Sequence, residues 1–315
     1  MKRLVTFERF CLVAHFVTMV FGLAGILLVL PNLGAVLSLI STIQPGLTTP
    51  VQQLFQWSMS GGGVANILLG TAAVAIHAYR TLGLWHLLGF MIPAVSLSLG
   101  SELLGTSTGF PFGHYAYLNG LGYKVAGLVP FTIPLSWFYI GLSAYLLASA
   151  GLHTRLSSHS GIRWSVRVSA ILLGALLLTS WDFVLDPAMS QTAAPFWEWH
   201  QPGAFFGMPY QNFVGWLGTG TLFMSIAALL WRSPKVLSRS QLKLPLAVYA
   251  GNFVYAAVIS LAGGITIPVL LGIALGLAPA YIMWQLAPAS VASNKLAVEP
   301  KTMNIATLPL EAIGK

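Results

Sequence analysis

Residues 168–187 read VSAILLGALLLTSWDFVLDP. A run of about 20 mainly apolar residues is long enough for an α-helix to cross the hydrocarbon core of a bilayer. This run ends in two acids, Asp182 and Asp186, and Pro187 follows them directly. The stretch therefore predicts a membrane-spanning helix that carries carboxyl groups at one end.

The composition of the whole chain agrees with this prediction. Of the 315 residues, 56% are apolar and only 7% are charged, and the mean hydropathy is +0.79. Because a soluble globular domain has about 25% charged residues, these values exclude a soluble enzyme, a disordered chain, a coiled coil and a collagen-like fibre. Long apolar runs replace the short alternating strands of a membrane β-barrel. We expect an all-α fold, a polytopic bundle of membrane helices.

Hydropathy predicts eight spans, with one alternative at the end of the chain. The tight Gly263-Gly264 turn leaves seven spans plus a hairpin open. The stretch 33–53 is apolar but broken by Pro45 and Pro50, and we expect it at the membrane interface. We predict one membrane domain over 1–287, with its motif-bearing core at about 55–285, and a polar tail over 288–315. The predicted spans are 9–30, 54–78, 82–104, 125–150, 164–186, 211–231, 244–262 and 264–287.

The basic residues predict the orientation. With eight spans, all Lys and Arg residues except Lys124 fall on one side, so the positive-inside rule places both termini in the cytoplasm. The net charge of +8 thus reflects topology, and we expect no nucleic-acid partner. The first apolar run lacks a small-residue cleavage site, which predicts an uncleaved helix. We expect a multi-pass protein of the cytoplasmic or thylakoid membrane.

Four acids lie away from the termini, at the outer ends of spans three and five or in the loop that follows: Glu102, Asp182, Asp186 and Glu198. An acid at membrane depth is costly and is by default a functional hypothesis. Asp182 and Asp186 are four residues apart and share a helix face. Two carboxyls so close in a low dielectric do not both ionise readily, which suits a general acid. Alternatively, Asp186-Pro187 ends the helix and the acids face outer water.

The loops after these acids are aromatic and share a pattern. Residues 105–117 and 197–212 both contain Gly-x-x-Phe-Gly, at 109–113 and 203–207. Irregular backbone at membrane depth persists only where it is buried in protein or lines a cavity. The alternative is an aromatic belt at the interface. Pro130 and Pro134, one turn apart, are expected to kink span four and open space beside the acids.

The remaining residue types exclude several kinds of chemistry. The histidines are scattered, no Glu-x-x-His pair occurs, and the single cysteine, Cys11, excludes a CxxC redox site and a Cys-ligated cluster. No phosphate-binding Gly loop and no activated Ser or Cys is present. We expect neither a cofactor nor a metal, although Asp182, Asp186, Glu198 and His200 are an alternative ligand set. An acid-rich, aromatic pocket for an apolar substrate favours protonation of an isoprenoid alkene, with aromatic faces stabilising the carbocation.

Six paired motifs carry a resemblance to a known family over roughly residues 55–285: Glu102-x-x-Gly105, Thr108-Gly109-x-Pro111-Phe112-Gly113-x-Tyr115-x-Tyr117, Pro130-x-x-x-Pro134-x-x-Trp137, Asp182-x-x-x-Asp186-Pro187, Trp197-x-Trp199, and Gly203-x-x-Phe206-Gly207-x-Pro209-x-x-Asn212-x-x-Gly215-Trp216. The chain resembles the membrane carotenoid 1',2'-hydratases, which include γ-carotene/lycopene hydratases and bisanhydrobacterioruberin hydratases.

The resemblance implies cofactor-independent hydration of the terminal C1'=C2' bond of an acyclic ψ end group, which gives a tertiary 1'-hydroxy carotenoid. The carotenoid would arrive from the lipid phase, water would be the second substrate, and a carotenoid glycosyltransferase would be a partner enzyme. Asp182 or Glu102 would donate the proton, and Asp186 or Glu198 would position water. The expected binding residues are Tyr115, Tyr117, Trp137, Trp181, Trp197, Trp199, Phe206 and Asn212.

Three other functions remain open at the level of sequence. A lycopene-cyclase-like enzyme would form the same cation but let an internal alkene capture it. A proton-coupled transporter would use acids as a proton relay, although its acids should lie near mid-bilayer. A non-catalytic carotenoid-binding protein would need the pocket but not the acids.

Overall fold

A computed structural model describes residues 2–156, 162–201, 203–231 and 235–289. Within these ranges, eight helical segments are long and apolar enough to cross a membrane, which confirms the predicted all-α class and the number of spans. Their bounds are Lys2–Ile43, Pro45–Leu82, Leu84–Thr108, Thr132–His153, Trp164–Ser190, Tyr210–Leu230, Lys243–Ala262 and Ile267–Leu286.

The first span is longer than the sequence predicted. Helix α1 (Lys2–Ala24) continues through a π-helical turn (Gly25–Val29) into α2 (Leu30–Ile43), and a 3-10 turn (Pro45–Leu47) leads into α3 (Thr48–Leu82). The stretch 33–53 is therefore largely helical and mostly exposed. Pro45 is the first residue of the 3-10 turn, a position whose backbone N–H would have no partner within the turn. The missing N–H of proline therefore costs no hydrogen bond there. The interfacial position of this stretch stays a prediction.

Four helices surround the predicted site at the internal acids: α4 (Leu84–Thr108), α5 (Thr132–Leu156), α6 (Ile162–Ser190) and α7 (Tyr210–Leu230). Helix α5 is the most buried span and packs against α3, α4 and α6, so it forms the centre of the bundle. The predicted start of span four at residue 125 and its proline kink are wrong. Pro130 lies before the helix and Pro134 in its first turn, where the backbone N–H has no intrahelical partner to lose.

The last two spans form a helical hairpin. Helix α8 (Lys243–Ala262) ends at the Gly263-Gly264 turn, and α9 (Ile267–Gly272), a π-helical turn (Ile273–Leu277) and α10 (Ala278–Leu286) make one continuous return span. Both members are long enough to cross a bilayer, which favours eight spans. Of the predicted polar tail, residues 290–315 lie outside the described residues.

A buried ion pair joins α1 to α3 at the end of the bundle where α3 ends. Glu8 is only 7% exposed, accepts a hydrogen bond from the Arg80 guanidinium, and lies 3.6 Å from Nδ1 of His77. Glu8 was not expected to have a special role because it lies near the terminus. Its burial indicates that it holds these two helices together.

Short strands close the opposite end of the bundle. Strand β1 (Tyr115–Tyr117), from the first aromatic loop, pairs antiparallel with β4 (Trp197–Trp199), from the second. Between them in sequence, β2 (Lys124–Val125) pairs with β3 (Val129–Pro130) just before α5 begins. The β1–β4 pairing brings the two aromatic loops together above the helix ends. Its paired residues Tyr117 and Trp197 are 80 positions apart in the sequence.

Candidate active site

Three carboxyl groups meet at the strand-covered end of the bundle. Glu102 lies near the end of α4, and Asp182 and Asp186 lie in the last turns of α6; all three are at most 3% exposed. They line one small cavity of about 50 Å³ together with Trp137 of α5 and Asn212 of α7. The four central helices therefore each contribute a polar or aromatic group to the same space.

Three donors hold Glu102. The phenol groups of Tyr115 and Tyr117 both donate to its Oε2, the second over 2.9 Å, and the indole N–H of Trp137 donates to Oε1 over 2.9 Å. Alternate residues of a strand point to the same face, so β1 directs both phenols towards the carboxyl. Both oxygens of Glu102 are thus engaged as acceptors.

The surroundings of the two tyrosines favour their protonated, hydrogen-bond-donating form. Burial, reinforced by the negative charge of Glu102, raises the pKa of Tyr115 and of Tyr117 well above the usual range of a phenol. A phenol that keeps its proton can donate to a carboxylate without adding a second negative charge. The pair therefore forms a fixed polar clamp on Glu102.

The two aspartates have different partners although they lie one turn apart. Asp186 accepts hydrogen bonds from the indole N–H groups of Trp197 and Trp199, both over 3.0 Å, and from Ser190. Asp182 accepts one, from the amide of Asn212 to Oδ2 over 2.7 Å. Among the residues that the structure describes, none donates to Asp182 Oδ1. Of the three carboxyls, Asp182 therefore has the least engaged oxygen.

The strand register separates Glu198 from the other acids. In β4, Trp197 and Trp199 point towards Asp186, so the residue between them points the other way. The Glu198 side chain is 59% exposed and lies 3.5 Å from His200 Nε2, outside the cavity. In the described ranges, no three His, Cys, Asp or Glu residues have a geometry that could hold a metal.

Aromatic rings form the rest of the wall. Trp137 and Trp216 stack with ring centroids 4.0 Å apart and an interplanar angle of 20°. Trp181 and Trp216 pack edge to face, with ring centroids 5.9 Å apart. Trp216 and Phe112 line the cavity but were not among the expected binding residues. The signal for Trp216 was its spacing, since it follows Asn212 by one helical turn and shares its face.

A larger cavity of about 620 Å³ adjoins the small one. The two share the lining residues Ile133, Ser136, Leu185 and Trp197. The larger cavity extends between α1, α3, α5, α6 and α8, and its walls are mainly apolar. It reaches the bundle surface at Phe21 and Trp57, which are 73% and 74% exposed. The large apolar cavity therefore extends from the bundle surface to the residues that also line the carboxyl cavity.

The structure brings most of the expected binding residues to these cavities. Tyr115, Tyr117, Trp137, Trp199 and Asn212 line the small cavity, as does Trp197, which lines both. Trp181 lines only the larger cavity. Phe206 lines neither; it has a positive φ of 48° and packs on Phe205.

Comparison with known proteins identifies the family. The chain is 38% identical over 144 residues to a bisanhydrobacterioruberin hydratase of Haloarcula japonica, an alignment that covers 45% of this chain and 44% of that relative. The chain thus matches less than half the length of that protein. No solved structure matches the chain. The model of the carotenoid biosynthesis protein family matches residues 62–279, which include every cavity-lining carboxyl. The chain belongs to the carotenoid biosynthesis protein family.

Proposed function

We propose that the protein is a carotenoid 1',2'-hydratase, which adds water to the terminal double bond of an acyclic ψ end group. One observation carries the proposal: three buried carboxyls line a small aromatic cavity that shares its walls with a large apolar cavity. The polyene lies in the large cavity and its end group enters the small one. The similarity to a bisanhydrobacterioruberin hydratase supports the same reaction class.

Asp182 is the proton donor in this proposal. Its Oδ1 is the carboxyl oxygen that receives no hydrogen bond from the described residues, whereas indole N–H groups, which can only donate, engage Glu102 and Asp186. In its acid form, Asp182 transfers a proton to C2' and the π electrons of the alkene form the new C–H bond. The positive charge then rests on the tertiary carbon C1'.

The cavity is suited to stabilise this cation. The faces of Trp137 and Trp216 present negative quadrupoles, and a cation over an aromatic face is stabilised by about 0.5–2 kcal/mol. The carboxylate of Glu102, fixed by its three donors, adds a negative charge in a low-dielectric site. Neither group needs to move when the charge develops.

Asp186 completes the addition. It lies one turn from Asp182 on the same face of the same helix. Asp186 orients a water molecule, the water oxygen bonds to C1', and the carboxylate takes the released proton, which returns to Asp182. The net change is the addition of one water, with no oxidation or reduction. A cavity of about 50 Å³ has room for a water molecule.

Expression in a lycopene-producing host tests the proposal. We expect a more polar pigment whose mass is that of lycopene plus one or two waters, and whose new hydroxyl groups are tertiary. The same host carrying Asp182→Asn should accumulate unchanged lycopene. A cyclic isomer of lycopene would instead identify a cyclase, and unchanged pigment with the parental protein would contradict both reactions.

A further inference from the structure

The four residues that line both cavities, here called the cavity junction, include one uncommitted polar atom. Ile133 and Leu185 are apolar, and the indole N–H of Trp197 is used on Asp186 Oδ2 over 3.0 Å. The fourth residue is Ser136 of α5, whose hydroxyl has no part in the hydration described so far. In that reaction the end group passes the junction to reach the carboxyls, so Ser136 lies beside the reacting carbons.

The hydroxyl of Ser136 is held in one orientation. It donates to the carbonyl of Ile133, three residues earlier in α5, over 2.7 Å. A hydroxyl has one proton and two acceptor lone pairs, and among the residues that the structure describes none donates to Ser136 Oγ. Because its proton is used on the backbone, Ser136 offers the cavities an acceptor and not a donor.

Asp186 has matching capacity on one oxygen. Its Oδ1 accepts from Trp199 and Ser190, whereas Oδ2, within the described ranges, accepts from Trp197 alone. A carboxylate oxygen has two acceptor sites, so one site stays open on the oxygen that a junction residue already contacts. Asp186 and Ser136 both line the small cavity, whose volume of about 50 Å³ has room for a water molecule.

Six donors of the small cavity are already directed at its carboxyls. A water held between two acceptors donates both of its protons, which leaves its oxygen lone pairs free. This is the orientation that a nucleophilic water needs, because a lone pair forms the new bond to carbon. The six donors are Tyr115, Tyr117 and Trp137 to Glu102, Trp197 and Trp199 to Asp186, and Asn212 to Asp182.

We propose that Ser136 positions the water that captures the carbocation. The water donates one proton to Ser136 Oγ and the other to Asp186 Oδ2, so that an oxygen lone pair faces C1'. When the C1'–O bond forms, Asp186 takes the proton that it holds, and the second proton stays on the oxygen of the product hydroxyl. The inference rests on the proposed function and adds a residue that decides whether the cation gains water.

Loss of a proton is the competing fate of the same cation. If no water attacks C1', a neighbouring carbon loses a proton to a carboxylate and an alkene forms again, with no net addition. In deuterium oxide the proton first added to C2' is a deuteron, so alkene that forms again retains deuterium. The ratio of alcohol to deuterated alkene therefore measures water capture separately from the rate of protonation.

Turnover of an acyclic carotenoid by the full-length protein in deuterium oxide, followed by mass spectrometry, tests the role of Ser136. Ser136→Ala keeps every carboxyl but removes the acceptor. We expect it to lower the ratio about fivefold, the effect of losing one neutral hydrogen bond. Ser136→Thr keeps a hydroxyl and should restore the parental ratio. If Ser136→Ala does not fold, Ser136→Cys, whose sulfur is a weak acceptor, should lower the ratio as well.

The control is Ser143→Ala in the same helix. It removes a fully buried hydroxyl that bonds the Tyr139 carbonyl and lines neither cavity, so the ratio should stay parental. An unchanged ratio in folded Ser136→Ala, or an equal fall in Ser143→Ala, would overturn the role of Ser136. With the parental protein, the absence of both alcohol and deuterated alkene would show that no carbocation forms, which would contradict the proposed function itself.

Discussion

At the scale of single residues, the site gives three chemically identical groups different surroundings. Glu102 and Asp186 accept from three donors each, whereas Asp182 accepts from one. Because indole and phenol donors in this site point at fixed oxygens, the engaged carboxyls are committed as acceptors. The remaining oxygen of Asp182 is free to contact a substrate. The hydrogen bonds therefore favour Asp182 as the proton donor in the proposed function.

Replacing Asp182 tests that division. Asp182→Asn keeps the volume and the contact with Asn212 but removes the acidic proton, so we expect the rate of hydration to fall at least about 100-fold. Initial rates with an acyclic carotenoid in detergent measure the effect. Glu198→Gln is the matched control, since Glu198 faces outward, and it should keep the parental rate. Equal losses in both variants would contradict the assignment.

The clamp on Glu102 has its own prediction. Tyr115→Phe removes one of three donors and leaves the ring packing. Because one hydrogen bond to a charged group is worth about 1.5–3 kcal/mol, we expect kcat to fall roughly 10- to 150-fold, with little change in KM. Tyr123→Phe, at a 77% exposed tyrosine of the same loop, provides the baseline. A change in KM alone would indicate that Tyr115 only shapes the pocket.

At the scale of elements, the β1–β4 pair determines which side chains reach the carboxyls. Two helices end beneath these strands, and each strand supplies donors to a different helix: β1 to Glu102 on α4, and β4 to Asp186 on α6. The pair is short, so its register depends on the close packing of the loops around it. A change that moves the loops apart should disturb both carboxyls at once.

Gly113 tests this close packing. It has a φ of +114°, and a Cβ there would lie 2.7 Å from Pro209 Cγ and 3.2 Å from the Trp199 ring. Gly127 has a φ of +73° with open space around it. Both substitutions by Ala strain the backbone, but Gly113→Ala also forces the loops apart. We expect it to lower the Tm and the activity more than Gly127→Ala; equal effects would mean that packing here is unimportant.

The elements also explain what could be predicted from sequence. The eight spans and the shared face of Asp182 and Asp186 follow from local periodicity, which a single sequence displays. The outward direction of Glu198 depends on the register between strands that lie far apart in the chain. The start of α5 depends on a β2–β3 turn that uses Pro130. Trp216 reaches the site because α7 packs on α4 and α6, a contact that no local pattern displays.

At the scale of the whole molecule, the two ends of the bundle differ in what they contain. The strand-covered end contains the carboxyls, and the apolar cavity extends from there between five helices towards the lipid-facing surface. The opposite end is held by the buried pair of Glu8 and Arg80. The predicted topology, in which the basic connections are cytoplasmic and the site lies towards the other face, stays a prediction.

Single-cysteine labelling tests this topology. In a Cys11→Ser background, which removes the one native thiol, Tyr123→Cys places a thiol at the site end and Ser240→Cys places one in the connection between α7 and α8. In intact cells, a membrane-impermeant maleimide should label the first variant and not the second. After lysis both should react. Labelling of Ser240→Cys alone in intact cells would reverse the orientation.

In the proposed function, carboxyls at the end of an apolar cavity protonate a polyene and water captures the cation. The most direct measurement is turnover of an acyclic carotenoid by the purified protein in heavy-oxygen water, followed by mass spectrometry. We expect one heavy oxygen per hydrated end, in a tertiary hydroxyl, and no labelled product with Asp182→Asn. A product without heavy oxygen, or a cyclic isomer of the substrate, would contradict it.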